Sequence, residues 1–319
     1  MDSRMNTQDC AWADIFDEQS RTNLKEGFIV TGAISALLSA WLNVALLFTN
    51  LRLDLSYRNL TFFTAVACAR RAASVCYHLL PFNQPGSNDH GIEVTCDFFG
   101  FWDSFLAVYE VECLTHVCIE RYVVAKYITR GWPIQKNHYI LYQGLCVLFA
   151  ALYSLPPLLG IGRYALDFSC QSCVLDMVLP GTWERFIVVA IFILRSVKST
   201  GFMITMLVWA RTLESKYDNS ESLIREFKFT NSVIIVTMAN LLCWLPISLI
   251  RGWVVLSYMF ANDVQVKPCS TSIQWAVWIH WISPAITTIA MFLIDERAHQ
   301  KMINICKGDG KIDEDKKNE

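Results

Sequence analysis

The residues of this 319-residue chain best placed to do chemistry are ionisable side chains set inside apolar stretches. Asp103, Glu110 and Arg121 follow one another at offsets of seven and eleven. At about 100° per residue these offsets fall on one narrow stripe of a helix. Each such group costs on the order of 2.5–3.5 kcal/mol at the centre of a bilayer, so each asks for a partner or a task. A desolvated carboxylate such as Asp103 beside aromatic rings, here Trp102 and Trp244, is a site for a cation. A structural pairing of Asp103 with Arg70, Arg71, Arg195 or Arg251 competes with that reading. Glu110 either holds sodium or a proton between helices or is a protonated glutamate bonded to a serine or a backbone carbonyl. Glu112 turns away toward a neighbouring helix. Lys198 pairs with a carboxylate or reaches polar surroundings, and an imine at its amine is the remoter alternative. Arg121 beside Glu120, near the end of an apolar stretch, can be a snorkelling surface pair of little energetic worth. Pro246, two residues after Trp244, removes a helical hydrogen bond and bends the helix, as a hinge or as a kink in a static core.

Positioning such groups requires helices that cross a membrane. The chain is 54% apolar and 18% charged with a mean hydropathy of +0.33, values a single soluble domain of this length rarely shows. Apolar runs long enough to span a bilayer, about 20 residues each, occur near 27–49, 59–80, 97–119, 138–160, 185–210, 230–257 and 271–294. With the N-terminus outside, the inner segments 51–58, 121–136, 211–228 and 295–319 carry 16 Lys and Arg, and the outer segments carry five. Basic residues are retained on the cytoplasmic side, which predicts an exterior N-terminus and a cytoplasmic C-terminus. Met1–Glu26 is polar and acidic and reads as an exterior segment with no cleaved signal peptide, so the first helix is expected to serve as the insertion signal. Residues 27–294 form the membrane domain, and 295–319 a cytoplasmic helix and tail. The tail opens with an amphipathic segment, Asp295–Ile305, ahead of Cys306, which is either palmitoylated or inert. Cys68, Cys76, Cys113, Cys118, Cys146 and Cys243 lie in the spans as small apolar residues. Cys10, Cys96, Cys170, Cys173 and Cys269 lie on the exterior side, where disulfides persist. A net charge of −2 gives no sign of nucleic-acid binding, and no repeat or metal-ligand spacing is present.

Three blocks in order carry a family resemblance. Cys96 and Glu120-Arg121-Tyr122 stand 24 residues apart, about 36 Å of helix. Pro156-Pro157-Leu158-Leu159-Gly160 is followed by Arg163-Tyr164, Asp167 and Cys170-Gln171-Ser172-Cys173, then Asp176. Arg225-Glu226 precedes Val233-Ile234-Ile235 and Cys243-Trp244-Leu245-Pro246. In this order the blocks resemble the rhodopsin-like family of G protein-coupled receptors, and opsins within it. Gly100-Phe101-Trp102 and Ile119-Glu120-Arg121-Tyr122-Val123-Val124 also read opsin-like.

The resemblance implies an all-α seven-transmembrane helix bundle with a short amphipathic helix after the seventh span, acting as a receptor and not as an enzyme. It implies a Cys96–Cys173 disulfide. It also implies a switch of Glu120, Arg121 and Tyr122 with Glu226, which sits 18 residues before Trp244. Trp244 and Pro246 are then the hinge of the sixth helix. The ligand pocket is expected at Phe99, Asp103, Asp167, Trp244 and Val277, Phe99 taking the place of the vertebrate opsin counterion. Val277, six residues before Ser283, takes the place of the retinal lysine. No lysine occurs anywhere in Thr271–Ile294, so no covalent cofactor is expected and retinal remains only as a non-covalent ligand. In this the chain resembles the lysine-lacking opsins called placopsins. Other departures are Val66-Ala67-Cys68 where the second helix usually has an aspartate, Val147 for a tryptophan, and Ser283-Pro284-Ala285-Ile286-Thr287 for Asn-Pro-x-x-Tyr. Glu110 is a candidate to compensate for the missing aspartate. Trp275, Trp278, Trp281 and His280 supply bulk that can fill the retinal space or form an interfacial belt. The implied partners are a heterotrimeric G protein, a small-molecule ligand and the bilayer of the plasma membrane. The alternatives are a receptor for a cationic amine through Asp103, and a non-signalling homo- or hetero-dimerisation partner.

Overall fold

The computed structural model describes residues 18–50, 55–79, 89–127, 136–166, 173–176, 182–216, 221–261 and 270–294. Asp167, Cys10, Cys170, Cys269, Cys306 and the Asp295–Ile305 segment lie outside these residues, and so does the side chain of Glu226. The seven helices are Glu18–Asn50, Leu55–Leu79, Asp89–Tyr127, Lys136–Ser154, a fifth built from three consecutive segments, Glu221–Ala261 and Ser270–Ile294. The third touches the second, fourth, fifth and sixth, and so forms the axis of the bundle. The first and second pack against the seventh, which in turn packs along the sixth.

Each helix keeps one apolar stripe for its neighbours and turns another outward. On the first helix Val30, Ile34, Leu37, Trp41 and Val44 are all exposed, at the three- and four-residue spacing of one helical face. Exposed aliphatic and aromatic faces of this kind fit a hydrocarbon solvent. The first, fifth, sixth and seventh helices are long and apolar enough to cross a membrane by length and composition. The second and third owe their lower hydropathy to Arg70 and Arg71 and to Asp103, Glu110 and Glu112, of which all but Asp103 are buried.

Two irregularities shape the end of the bundle that carries Cys96. The fourth helix stops at Ser154, short of the expected 160, because Pro156 and Pro157 have no N–H to continue it. A 3-10 turn, Pro156–Leu159, comes next and is closed by Gly160 at φ 81°, a left-handed conformation that glycine adopts without strain. Strand β1 (Tyr164–Leu166) then pairs antiparallel with β2 (Cys173–Leu175), Leu166 opposite Cys173. The Tyr164 hydroxyl donates to Ser154 O at 2.6 Å, and burial raises its phenol above the usual range, keeping it a neutral donor. Arg163 Nε donates to Asp176 at 2.7 Å. The second irregularity lies in the fifth helix, where Thr182–Phe192 and Ser199–Glu214 flank a π-helical turn, Ile193–Lys198. A π turn adds a residue to the helical circuit and rotates the facing of every residue after it.

The hairpin lies directly on the third helix. A Cβ on Gly100 would stand 2.7 Å from the Tyr164 ring. Gly100→Ala should therefore displace the hairpin and lower stability by about 1–3 kcal/mol. Thermal unfolding would show this, whereas alanine at Gly144, which meets nothing within 4 Å, should leave the melting temperature nearly unchanged.

Candidate functional site

The third helix brings its ionisable stripe into the centre of the bundle, but the partners differ from those its spacing suggests. Glu110, 1% exposed, pairs with Arg70 of the second helix, Oε2 to Nε 3.4 Å. The structure thus sets beside Glu110 a partner that neither reading named, an arginine of the second helix. Arg70 Nη2 donates to His280 Nε2 at 3.1 Å, and Arg71 Nη2 donates to the His280 carbonyl at 2.8 Å. Arginine has no acceptor, so His280 Nε2 must accept and its proton sits on Nδ1. That buried Nδ1 has no hydrogen-bond partner. Trp244 meets the His280 ring edge-on at 4.6 Å, and the Arg70 guanidinium lies over its ring at 4.7 Å. The cation on Trp244 is thus the protein's own.

Asp103 makes no ion pair within 4.0 Å among the described residues, and it lies within Coulombic reach of Arg71 and Arg195. Trp102, expected beside it, is 41% exposed and joins Phe98 and Phe105 on an outward aromatic face. No cage of Trp102 and Trp244 closes around Asp103, because Trp102 faces out of the bundle while Trp244 sits inside it against Arg70 and His280. Phe99 packs instead beneath the hairpin, 4.7 Å from the Tyr77 ring, beside the Cys96–Cys173 disulfide.

Val277 is buried among Phe28, Val75, Ile247, Val254 and Ile273, leaving no ionisable group at that level of the seventh helix. Its aromatic neighbours divide by facing. Trp275 is 66% exposed, while Trp281 stacks on Phe28 of the first helix at 5.1 Å and lies beneath the Arg71 guanidinium at 4.6 Å. Of this group, His280 is the side chain that reaches Trp244. Lys198, turned by the π segment, donates to Glu112 at 3.0 Å, and Ser199 donates to the same oxygen at 3.1 Å. Its amine is held as half of an ion pair.

At the opposite end Arg121, 2% exposed, pairs with Glu120 and lies over the Phe229 ring of the sixth helix at 4.4 Å. Tyr122 faces Trp209 of the fifth. Glu214, on the last turn of the fifth helix, is not among the residues expected from sequence. It is buried, accepts from Thr230 of the sixth helix at 2.5 Å and from Arg211 at 3.3 Å, and feels the charge of Arg121. Only its place at a helix end, where it reads as loop, concealed it. Near the missing aspartate of the second helix a neutral network stands in: Thr64 donates to Asn43 at 2.6 Å, Asn43 to Ser39 O at 2.9 Å, and Ser39 joins Thr288 at 2.9 Å.

Residues 45–289 match the family described as the 7 transmembrane receptors of the rhodopsin family. The chain is 26% identical to a rhodopsin of Psalidodon fasciatus over 50% of its own length and 47% of that protein's. To a pinopsin of Gallus gallus it is 27% identical over 48% of its length and 45% of that protein's. It thus spans about half the length of the curated relatives it matches. Its fold superimposes on the crystal structure of squid rhodopsin with a TM-score of 0.68, covering 92% of this chain and 90% of that one at 13% identity.

Proposed function

Because the chain belongs to the seven-transmembrane receptors of the rhodopsin family, we propose that it is an opsin-related receptor that passes ligand occupancy to a heterotrimeric G protein without a retinal Schiff base. One observation carries this reading: a receptor frame with its Glu120–Arg121 pair sits on a seventh helix, Ser270–Ile294, that contains no lysine. The alternative amine, Lys198, is engaged by Glu112. Arg121 is the group released toward the G protein. The contacts that hold the closed state are Glu120, Phe229 and the Glu214–Thr230 bond between the fifth and sixth helices, with Glu226 as a further partner. Pro246 lies inside the sixth helix, so bending there with Trp244 is the motion that would separate them. The orientation follows from the basic residues, with the Glu120–Arg121 end cytoplasmic and the disulfide end exterior, in the plasma membrane.

The amine-receptor reading loses ground, because Arg71 and Arg195 would repel an ammonium group at Asp103. The silent-partner reading rests on the altered end of the seventh helix, where Thr287 and Thr288 bond back to Ser283 and Pro284 carbonyls.

The test has two arms. Purified protein with 11-cis or all-trans retinal should show no visible pigment band, and borohydride should trap no retinyl adduct. In cells, Thr230→Ala should raise basal nucleotide exchange several-fold, and Arg121→Gln should abolish it. A trapped imine would end the lysine-free reading. Exchange insensitive to both substitutions would leave a dimerisation partner.

A further inference from the structure

We propose that Cys113 and Cys146, with His116 as their base, form a dithiol that hydrogen peroxide oxidises to a disulfide between the third and fourth helices. This modification is independent of what the receptor senses and of how it meets a G protein.

The third and fourth helices, Asp89–Tyr127 and Lys136–Ser154, pack along each other, and consecutive membrane spans run antiparallel. Cys113 and His116 stand three residues apart on the third, and Gln143 and Cys146 three apart on the fourth, the spacing of one helical face. Cys113 Sγ lies 3.7 Å from Gln143 Oε1, and His116 Nδ1 lies 2.9 Å from Cys146 Sγ. In an antiparallel pair these two contacts are crossing diagonals, which sets Cys113 level with Cys146. The two thiols share a hydrogen bond and belong to one buried cluster. The surroundings hold both diagonals in place. The Tyr109 hydroxyl donates to Gln143 at 2.8 Å, and Tyr142 stacks on the His116 ring at 4.8 Å. Glu112, the nearby carboxylate, is taken by Lys198. Two other thiols in the spans have different partners: Cys68 donates to the Ala36 carbonyl at 3.4 Å, and Cys118 faces the Thr237 hydroxyl at 3.5 Å.

A thiol is nucleophilic as its thiolate, and an imidazole beside it takes the proton. With His116 Nδ1 as acceptor, the Cys146 sulfur attacks one oxygen of hydrogen peroxide. The S–O bond forms, the O–O bond breaks, and the departing hydroxide leaves as water with the proton that His116 returns. The Cys113 sulfur then attacks the sulfenic acid on Cys146. The S–S bond forms, the S–O bond breaks, and the hydroxyl leaves with the Cys113 proton as a second water. The two thiols together lose two electrons, and one peroxide gains them. Both sulfurs are buried, which favours a small uncharged oxidant. His116 and Gln143, which touch them, are only half-buried and connect the pair to the surface.

The experiment treats the full-length protein in a neutral detergent with hydrogen peroxide, alkylates the remaining thiols, and reads unreduced peptides by mass spectrometry. Linkage of Cys113 to Cys146 is expected, ahead of any oxidation at Cys68 or Cys118. Cys113→Ala should leave a sulfenic acid on Cys146 that dimedone traps, and Cys146→Ala should leave Cys113 unlabelled. His116→Phe, which keeps a ring against Tyr142, should slow the linkage by roughly tenfold or more; a histidine that only packs would leave that rate unchanged. Absence of the linkage in the wild type, oxidation of Cys118 before it, or an unchanged rate in His116→Phe would overturn the proposal. The wild-type arm needs no substitution, so it stands even where a variant fails to fold.

Discussion

Arg70→Met should lower the unfolding free energy by about 3–5 kcal/mol, among the largest losses any single substitution here produces. The substitution leaves the Glu110 carboxylate, 1% exposed, without its counter-charge, and breaking one side of a buried pair costs more than the pair contributes. It also removes the donor to His280 Nε2 and the cation over Trp244. The second, third, sixth and seventh helices therefore lose a common contact. The double variant Arg70→Met, Glu110→Leu should recover most of the loss, since an apolar pair of similar volume carries no desolvation cost. A double-mutant cycle on melting curves in detergent decides the matter. Additive effects would mean that the packing of Arg70, and not its charge, holds the helices.

Cys96→Ser should cost about 2–5 kcal/mol. The bridge to Cys173 closes a sequence separation of 77, which is long enough to restrict the unfolded chain considerably. In the folded chain it fastens β2 to the third helix beside Tyr77, Phe99 and Tyr164. Cys173→Ser and the double variant should match Cys96→Ser, because all three remove the same bond. Melting in the presence and absence of reductant gives the check: wild type should fall to the variants' value when reduced, and the variants should not move. Stability retained by Cys173→Ser but lost by Cys96→Ser would mean that Cys170, three residues earlier, takes over the bridge.

These two contacts differ in how far the linear sequence reveals them. The disulfide is legible because Cys96 and Cys173 stand in blocks whose order a family frame fixes. Arg70 and Glu110 are each visible as costly intramembrane charges, yet spacing alone joins the arginines to Asp103 and gives Glu110 an ion or a proton. Helical periodicity tells which side of its own helix a residue occupies; it carries no information on the depth at which a neighbouring helix presents its partner. The same limit explains Trp102, placed near Asp103 by adjacency and turned outward by the 100° step between consecutive residues.

The sequence by itself determined that the chain crosses a membrane several times, which charges lie within the spans, that the seventh span has no amine for an imine, and where prolines interrupt the helices. These come from composition, run length and the missing N–H of proline, all local properties. The tertiary structure alone decided who pairs with whom: Arg70 with Glu110, Lys198 with Glu112, Glu214 with Thr230, His280 against Trp244. Such pairings depend on helix rotation, relative depth and the extra residue of the π turn, and these are settled only when seven apolar faces pack together.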